Sequence, residues 1–308
     1  MKVKVPFRER WATSRAILSQ SLTLLRKRRD LWVFPILASV TMMVAVAVPA
    51  GTFTLWGRPL MEAWGISSTL LPLVLFVVLL PILYPASLFA SLLNAALCFA
   101  AHEEMGGKTI TRAEAWKRAR SAVGPLARFN LVALLVAGIF QVIGVLLDKL
   151  RIVPYIGAAV QTVGMMGWAV ASFFVIPILV VEREASAMGA LRASTDLARS
   201  QWGKATAGLV TIGLVLMVPI LLLGLILIGL TFPLMLLAVK GGNVLAGLVP
   251  LFILLGVYLA VVMLLSGLGQ AASVLYQTGL YRYARTGKVA KPYTTETLVD
   301  AWAPYRQP

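Results

Sequence analysis

His102-Glu103-Glu104 is the one stretch of this chain that sets an imidazole beside carboxylates, the residue types of general acid–base catalysis. Glu182, Glu184 and Asp196 fall on the same expected side of the chain, where folding could gather them around His102. The simpler reading is that these residues cap and hydrate a helix end. A single histidine is a poor basis for a zinc enzyme, and a single cysteine, Cys98, excludes an intrachain disulfide, a cysteine-built zinc site and an iron–sulfur cluster. No P-loop, Gly-x-Ser-x-Gly elbow or His-Glu-x-x-His element occurs. No catalytic residue, metal or cofactor is therefore assigned, and the alternative of a membrane enzyme centred on His102 ranks third among the functional readings.

The other polar side chains that could do chemistry are Asn94, Asn130, Gln141, Gln161, Gln270 and Gln277, all inside long apolar stretches. Gln141 and Gln161 lie at similar distances from a short turn around Asp148 to Pro154, so they can hydrogen-bond across a helical hairpin. Asn94 and Gln270 are expected at similar depth. Packing is the expected role of all six. Gly157, Gly164, Gly167 and Ala171 form a stripe of small residues that lets helix backbones approach closely. No Asp, Glu or Lys occupies the middle third of any apolar stretch, which argues against ion-coupled transport.

The elements that must position these residues are membrane helices. Of 308 residues, 59% are hydrophobic and 13% charged, which is not a soluble composition. A bilayer core of about 30 Å needs roughly 20 apolar residues per helix. Six stretches qualify, at about 31–56, 70–101, 122–147, 152–181, 205–239 and 245–277. Pro72, Pro81 and Pro85 are expected to kink the second. The reading is an all-α, polytopic bundle of six transmembrane helices, with residues 1–30 as a basic amphipathic lead-in, 31–277 as the membrane domain and 278–308 as a tail.

Charge orients the bundle. Of 28 Lys and Arg, 24 lie in the N-terminal segment, near the second and fourth loops, or in the tail, and only Arg58, Lys149, Arg151 and Lys240 lie on the other side. Basic residues stay cytoplasmic, so both termini are expected inside and the first span is expected to be an uncleaved anchor. The formal net charge of +16 is explained by this topology without nucleic acid.

Three lead-in helices carry much of this charge. Trp11, Leu18, Leu22 and Leu25 recur at helical spacing among Arg10, Arg15 and Arg26, describing a helix in the membrane interface. Thr111-Arg112-Ala113-Glu114 reads as a capping box opening a second helix that bears Trp116. Ala187, Leu191, Ser194, Ala198 and Trp202 share one face of a third, which Gly203 can end. The arrangement suggests a weak threefold repeat of lead-in helix and hairpin. Trp11, Arg15, Arg26, Lys27, Arg28, Arg29, Trp116, Lys117, Arg118, Arg120, Trp202, Lys204, Arg282 and Arg285 are the expected interface residues. Their partners are expected to be anionic phospholipids, at about 1 kcal/mol per juxtamembrane cation, with another membrane protein complex as the second candidate.

The run from Leu280 through Tyr281-Arg282-Tyr283-Ala284-Arg285-Thr286-Gly287-Lys288 to Val289, followed by Thr297 to Trp302, resembles the ending of an uncharacterised family of bacterial six-span membrane proteins. Phe174 to Glu182, then Ala190 to Ser194, and the opening Leu31-Trp32-Val33-Phe34-Pro35 are also similar to that family. A more distant resemblance is to the membrane domain attached to some glycerophosphodiester phosphodiesterases. With no phosphodiesterase domain following, that activity is not implied. The resemblance implies the six-span fold and a bacterial inner membrane location, and implies no reaction.

The leading functional expectation is thus a non-enzymatic membrane component that organises lipid or docks as an accessory subunit. The second is a transporter or exporter of a hydrophobic or amphiphilic molecule, for which Pro81, Pro85, Pro219 and Pro233 shape kinked helices.

Overall fold

A computed structural model describes residues 19–65, 71–149, 156–200, 217–233 and 244–295, with isolated positions 3–4, 16, 236, 240 and 305–306. The fold is all-α, apart from a two-residue antiparallel pairing of Val3–Lys4 with Tyr305–Arg306. Helix α1 covers residues 19–27, and a 3-10 turn at Arg29–Trp32 leads into α2, Val33–Trp64. Helix α3 is Leu71–Met105, α4 Arg112–Ser121, α5 Val123–Lys149 and α6 Ile156–Ala171. The short α7, Val175–Pro177, runs into a π-turn at Ile178–Glu182, and α8 is Ala187–Ser200. Helix α9 is described over Met217–Pro233, and α10 is Val244–Thr286.

Five described segments are long and apolar enough to cross a membrane: Arg29–Phe53, Leu73–Met105, Val123–Leu147, Ile156–Glu182 and Pro250–Thr286. They fall on five of the six expected spans. Much of the remaining one, 205–239, lies outside the described residues, as do Trp11, Arg15, Trp202, Gly203, Lys204 and Thr297 to Trp302.

Burial divides the bundle along its axis. Val77, Val78, Ile82 and Phe89 of α3 are exposed, as are Leu131, Leu135 and Ile139 of α5 and Phe252, Ile253 and Leu264 of α10. Beyond that level the same helices turn inward. Ala95 to Cys98 of α3 and Ala271, Ala272, Leu275, Tyr276 and Leu280 of α10 are fully buried. At 1.5 Å per residue α3 is about 50 Å long and α10 about 65 Å, well beyond the ~30 Å hydrocarbon core. Their inward-turning ends form the centre of a packed cap at the basic end, joined by Leu25, Leu31, Leu126, Phe174, Ile178 and Ala190.

The described part of the first lead-in helix packs on protein along one side, and Trp11 and Leu18 of its expected apolar face lie outside the described residues. In the described part of α1, Ser21, Leu24 and Leu25 are buried against protein. Ala115 and Ala119 of α4, and Ala187, Ala190, Ser194 and Ala198 of α8, are likewise buried. The inward-turning ends of α3 and α10 offer these small and apolar faces a protein surface to cover.

The entry of the fourth span into the cap is built around a helix break. Proline lacks a backbone N–H, so Pro177 cannot donate into the preceding turn. The chain turns at Ser172 to Phe174 before α7 starts. Ser194 of α8 satisfies the groups this releases: its hydroxyl accepts from the Phe174 N–H at 2.9 Å and donates to the Ala171 carbonyl at 2.7 Å. The π-turn then ends at Arg183, which adopts a left-handed backbone (φ 61°).

Candidate functional site

The cap concentrates the polar chemistry of the described residues. Its first feature is a clamp on Glu104, the last carboxylate of α3. Lys27 at the end of α1 donates to Glu104 Oε1 at 2.8 Å, and Arg28 Nη1 donates to Oε2 at 3.0 Å. Arg28 also forks onto Asp30 through Nε and Nη2, at 3.0 and 2.9 Å, and reaches the Ile110 carbonyl at 2.7 Å. Side-chain exposure is 13% for Arg28 and 9% for Glu104, whereas Lys27 is 73% exposed. Arg28 therefore pins α1, the 3-10 turn and the α3–α4 loop together. The hydrogen bond to Asp30, then the pairing with Glu104, raise its already high pKa.

A second carboxylate, Glu182, closes the far side. Tyr281 donates its hydroxyl to Glu182 Oε1 at 2.6 Å, and Arg285 donates to the same oxygen through Nε at 2.8 Å and Nη2 at 2.6 Å. The π-turn's Val180 carbonyl accepts from Arg118, whose guanidinium also lies 5.5 Å from the centre of the Phe99 ring. Burial, then the nearby Arg183, depress the Arg118 pKa. The capping box of α4 is formed: Thr111 accepts from the Glu114 N–H at 3.2 Å, and Glu114 accepts from the Thr111 N–H at 2.7 Å. Those bonds hold the Glu114 carboxyl below its usual range.

Of His102, Glu182, Glu184 and Asp196, two meet through one side chain: Tyr281 packs beside His102 and donates its hydroxyl to Glu182. Glu103 is 3.9 Å from Lys108, Glu104 is held by α1, and Glu184 accepts from the Ser186 N–H at 3.0 Å. His102 packs 6.1 Å from the Tyr281 ring, with a buried Nδ1 that has no hydrogen-bond partner among the described residues. Among the described residues no group of three or more His, Cys, Asp or Glu could hold a metal ion.

The expected interface residues separate into two sets. Arg26, Lys27, Arg29, Lys117 and Arg120 are exposed, whereas Arg28 and Arg118 are half-buried and tie the cap together. Arg282 is half-buried and Arg285, though exposed, is engaged with Glu182. Trp116 sits edge-on to Phe89, ring centres 6.1 Å apart, at the level where exposed apolar side chains end on α3.

Packing residues within the spans also divide. Gln161 donates to Gln141 at 2.7 Å across the α5–α6 hairpin. A Cβ on Gly144 would lie 3.4 Å from the Gly157 carbonyl, and one on Gly164 would collide with the Phe140 ring, so these positions admit close approach. Gly167 faces open space. Asn94 is buried with an unpaired Oδ1, and Gln270 is half-buried in α10. Ala171 contributes its carbonyl to Ser194.

Sequence reasoning missed several residues that hold the cap. Ser21 and Tyr293 are buried 272 positions apart and share a hydrogen bond between their hydroxyls at 2.9 Å. Burial pushes the Tyr293 hydroxyl's pKa up. Asp30 following four consecutive basic residues is the one local signal that could have marked the Arg28 clamp.

A family model described as DUF6159, a family of unknown function, matches residues 56–291. The chain belongs to this family. The DUF6159 match takes in α3 to α10, including Glu104, Glu182, Ser194 and the α10 end that build the cap, and begins after α1 and most of α2. No curated protein and no solved structure matches the chain significantly. DUF6159 membership assigns no reaction, and nothing in it bears on a bacterial source or on glycerophosphodiester phosphodiesterases.

Proposed function

We propose that this protein is a non-enzymatic, multi-pass component of a bacterial inner membrane, with its basic end cytoplasmic, whose cap engages anionic phospholipid headgroups and presents a docking face to another membrane complex. The observation that carries the reading is the sorting of charge on the cap. Asp30, Glu104 and Glu182 are held by cap cations, and Glu114 by its own capping box. Arg26, Arg29, Lys117 and Arg120 are left exposed. Cations set just inside a membrane surface attract acidic lipid at about 1 kcal/mol each.

A transporter of amphiphiles is the second reading. It draws on an apolar cavity of about 270 Å³ between α2 and α10, lined by Trp32, Ile36, Ser39, Leu264 and Gly267 among others. The buried Ser39 hydroxyl there has no hydrogen-bond partner.

The test is gentle extraction of the full-length protein, followed by analysis of the lipids and proteins that copurify. Anionic phospholipid is expected to be enriched over its share in the bulk membrane, and the enrichment to fall in an R26Q/R29Q/K117Q/R120Q variant. Bound lipid of bulk composition together with no reproducible protein partner would overturn the proposal.

A further inference from the structure

We infer that the cap holds a binding pocket for a phosphomonoester group, between the end of α3 and the strap formed by residues 287–293. The inference deepens the lipid reading above and rests on it for the membrane source of the ligand. Two adjoining cavities, of about 410 and 530 Å³, share Met105, Val289 and Ala290 in their walls. Each is within the roughly 300–1,000 Å³ range of small-molecule sites. Arg282, Thr286 and Lys288 complete the first, while Lys27, Glu104 and Lys291 contribute to the second.

Charge in this space is unbalanced. Its one lining carboxylate, Glu104, already accepts from Lys27 at 2.8 Å and Arg28 at 3.0 Å. Among the described residues, Arg282, Lys288 and Lys291 have no carboxylate within ion-pair distance. Arg282 and Lys288 face the first cavity and Lys27 and Lys291 the adjoining second; like charges set this close repel one another, and an anion between them removes that cost. A phosphomonoester carries about −1.5 to −2 near neutral pH and presents three acceptor oxygens, which suits such a cluster better than a monoanionic phosphodiester.

The fold positions Arg282 and the backbone of the strap, while Lys288 and Lys291 reach in from its exposed side. Arg282 Nη1 donates to the His102 carbonyl at 3.3 Å, and a Cβ on Gly106 would lie 3.2 Å from the guanidinium, so the bare backbone at Gly106 gives Arg282 room. Gly287, at φ 68°, ends α10 with its N–H on the Tyr283 carbonyl at 2.8 Å and turns the chain back toward α3. The Thr286 hydroxyl donates to the Arg282 carbonyl at 2.8 Å and accepts from the Lys288 N–H at 3.3 Å. Tyr293 then anchors the strap on Ser21, and its ring occupies the space a Cβ on Gly279 would need. The apolar wall of Met105, Val289 and Ala290 suits a carbon skeleton attached to the phosphate.

The experiment is calorimetric titration of the full-length protein in nonionic detergent with four probes: dihexanoyl phosphatidic acid, glycerol 3-phosphate, inorganic phosphate and dihexanoyl phosphatidylcholine. Saturable binding is expected for phosphatidic acid and not for phosphatidylcholine. An R282Q/K288Q variant is expected to weaken it by at least about tenfold, since charge-assisted hydrogen bonds to the phosphate are lost. K117Q/R120Q, which removes the same charge elsewhere on the cap, is expected to leave it unchanged. K288Q alone, on an exposed strap residue, is expected to weaken binding several-fold without unfolding the protein. Tighter binding of the lipid than of glycerol 3-phosphate assigns the pocket to a headgroup, and equal binding assigns it to a soluble phosphate ester. No saturable binding by any phosphate probe, or equal weakening in both double variants, would overturn the pocket. Those outcomes leave lipid enrichment in the copurification experiment intact, so the two proposals fail separately.

Discussion

Helix α10 is two different helices in one. Phe252, Ile253, Val257 and Leu264 are exposed along its first half, and Ala271, Leu275, Tyr276 and Leu280 are fully buried along its second. Helix α3 repeats the division, with exposed Val77, Val78 and Ile82 giving way to buried Leu93, Ala96 and Leu97. In a bilayer the exposed apolar side chains of the first region would meet lipid, so helix contacts there would gain nothing from the hydrophobic effect and would rest on close approach and a few hydrogen bonds. In the second, the same helices bury apolar surface against α1, α4 and α8, as a water-soluble core does. Stability is thus expected to reside at the basic end, with the lipid-facing halves held by weaker contacts.

The largest effect that tests this division is at Phe174. Its ring is fully buried in the cap, edge-on to Phe173 at 4.8 Å and tilted against Tyr281 at 6.4 Å between ring centres. Phe174→Ala is expected to cost about 3–5 kcal/mol, the range for deleting a core aromatic. Val163, on the lipid-facing side of α6, is 70% exposed, and Val163→Ala is expected to stay within about 0.5 kcal/mol. Apparent unfolding of both variants in one detergent measures the contrast, and equal costs would break it.

Within the cap, the comparison sharpens between a shielded ion pair and a solvated one. Glu104→Ala removes the acceptor for Lys27 and one of the carboxylates on Arg28, a side chain only 13% exposed. The expected cost is about 3 kcal/mol, the low end for breaking a buried pair, because Asp30 still holds the guanidinium. Lys108, 76% exposed and 3.9 Å from Glu103, is the control, and Lys108→Ala is expected to cost under about 1 kcal/mol. Limited proteolysis between α1 and α3 supplies a second readout: Glu104→Ala is expected to free α1, and Lys108→Ala to leave it docked.

The lipid-facing region was more legible in the sequence than the cap. Apolar helices follow from hydropathy, and the expected 122–147 lies on Val123–Leu147, whereas the expected 245–277 stops nine residues short of the end of Pro250–Thr286. The Thr111–Glu114 capping box is equally local, four residues with one geometry. The cap is built from pairs remote in sequence, such as Ser21 with Tyr293 and Tyr281 with Glu182, whose partners no local pattern names. The same limit applies to the apolar face of α1. A basic amphipathic helix has one periodicity whether it covers lipid or protein, so the periodicity does not name Leu25's neighbours in the cap.

The smallest expected effect bears on the opposite side of the division, the α5–α6 hairpin. Gln161 donates to Gln141 at 2.7 Å, and the backbones meet at Gly144 and Gly157. Interhelical hydrogen bonds of this kind average about 0.6 kcal/mol, because a polar side chain released within the membrane finds other partners. Gln161→Leu is therefore expected to destabilise by less than about 1 kcal/mol, and Gln141→Leu/Gln161→Leu to cost no more, since both polar groups leave together. A double-mutant cycle in detergent unfolding isolates the coupling. A coupling above about 2 kcal/mol would make the hairpin as tightly specified as the cap, and stability would then have to be assigned to both ends of the bundle.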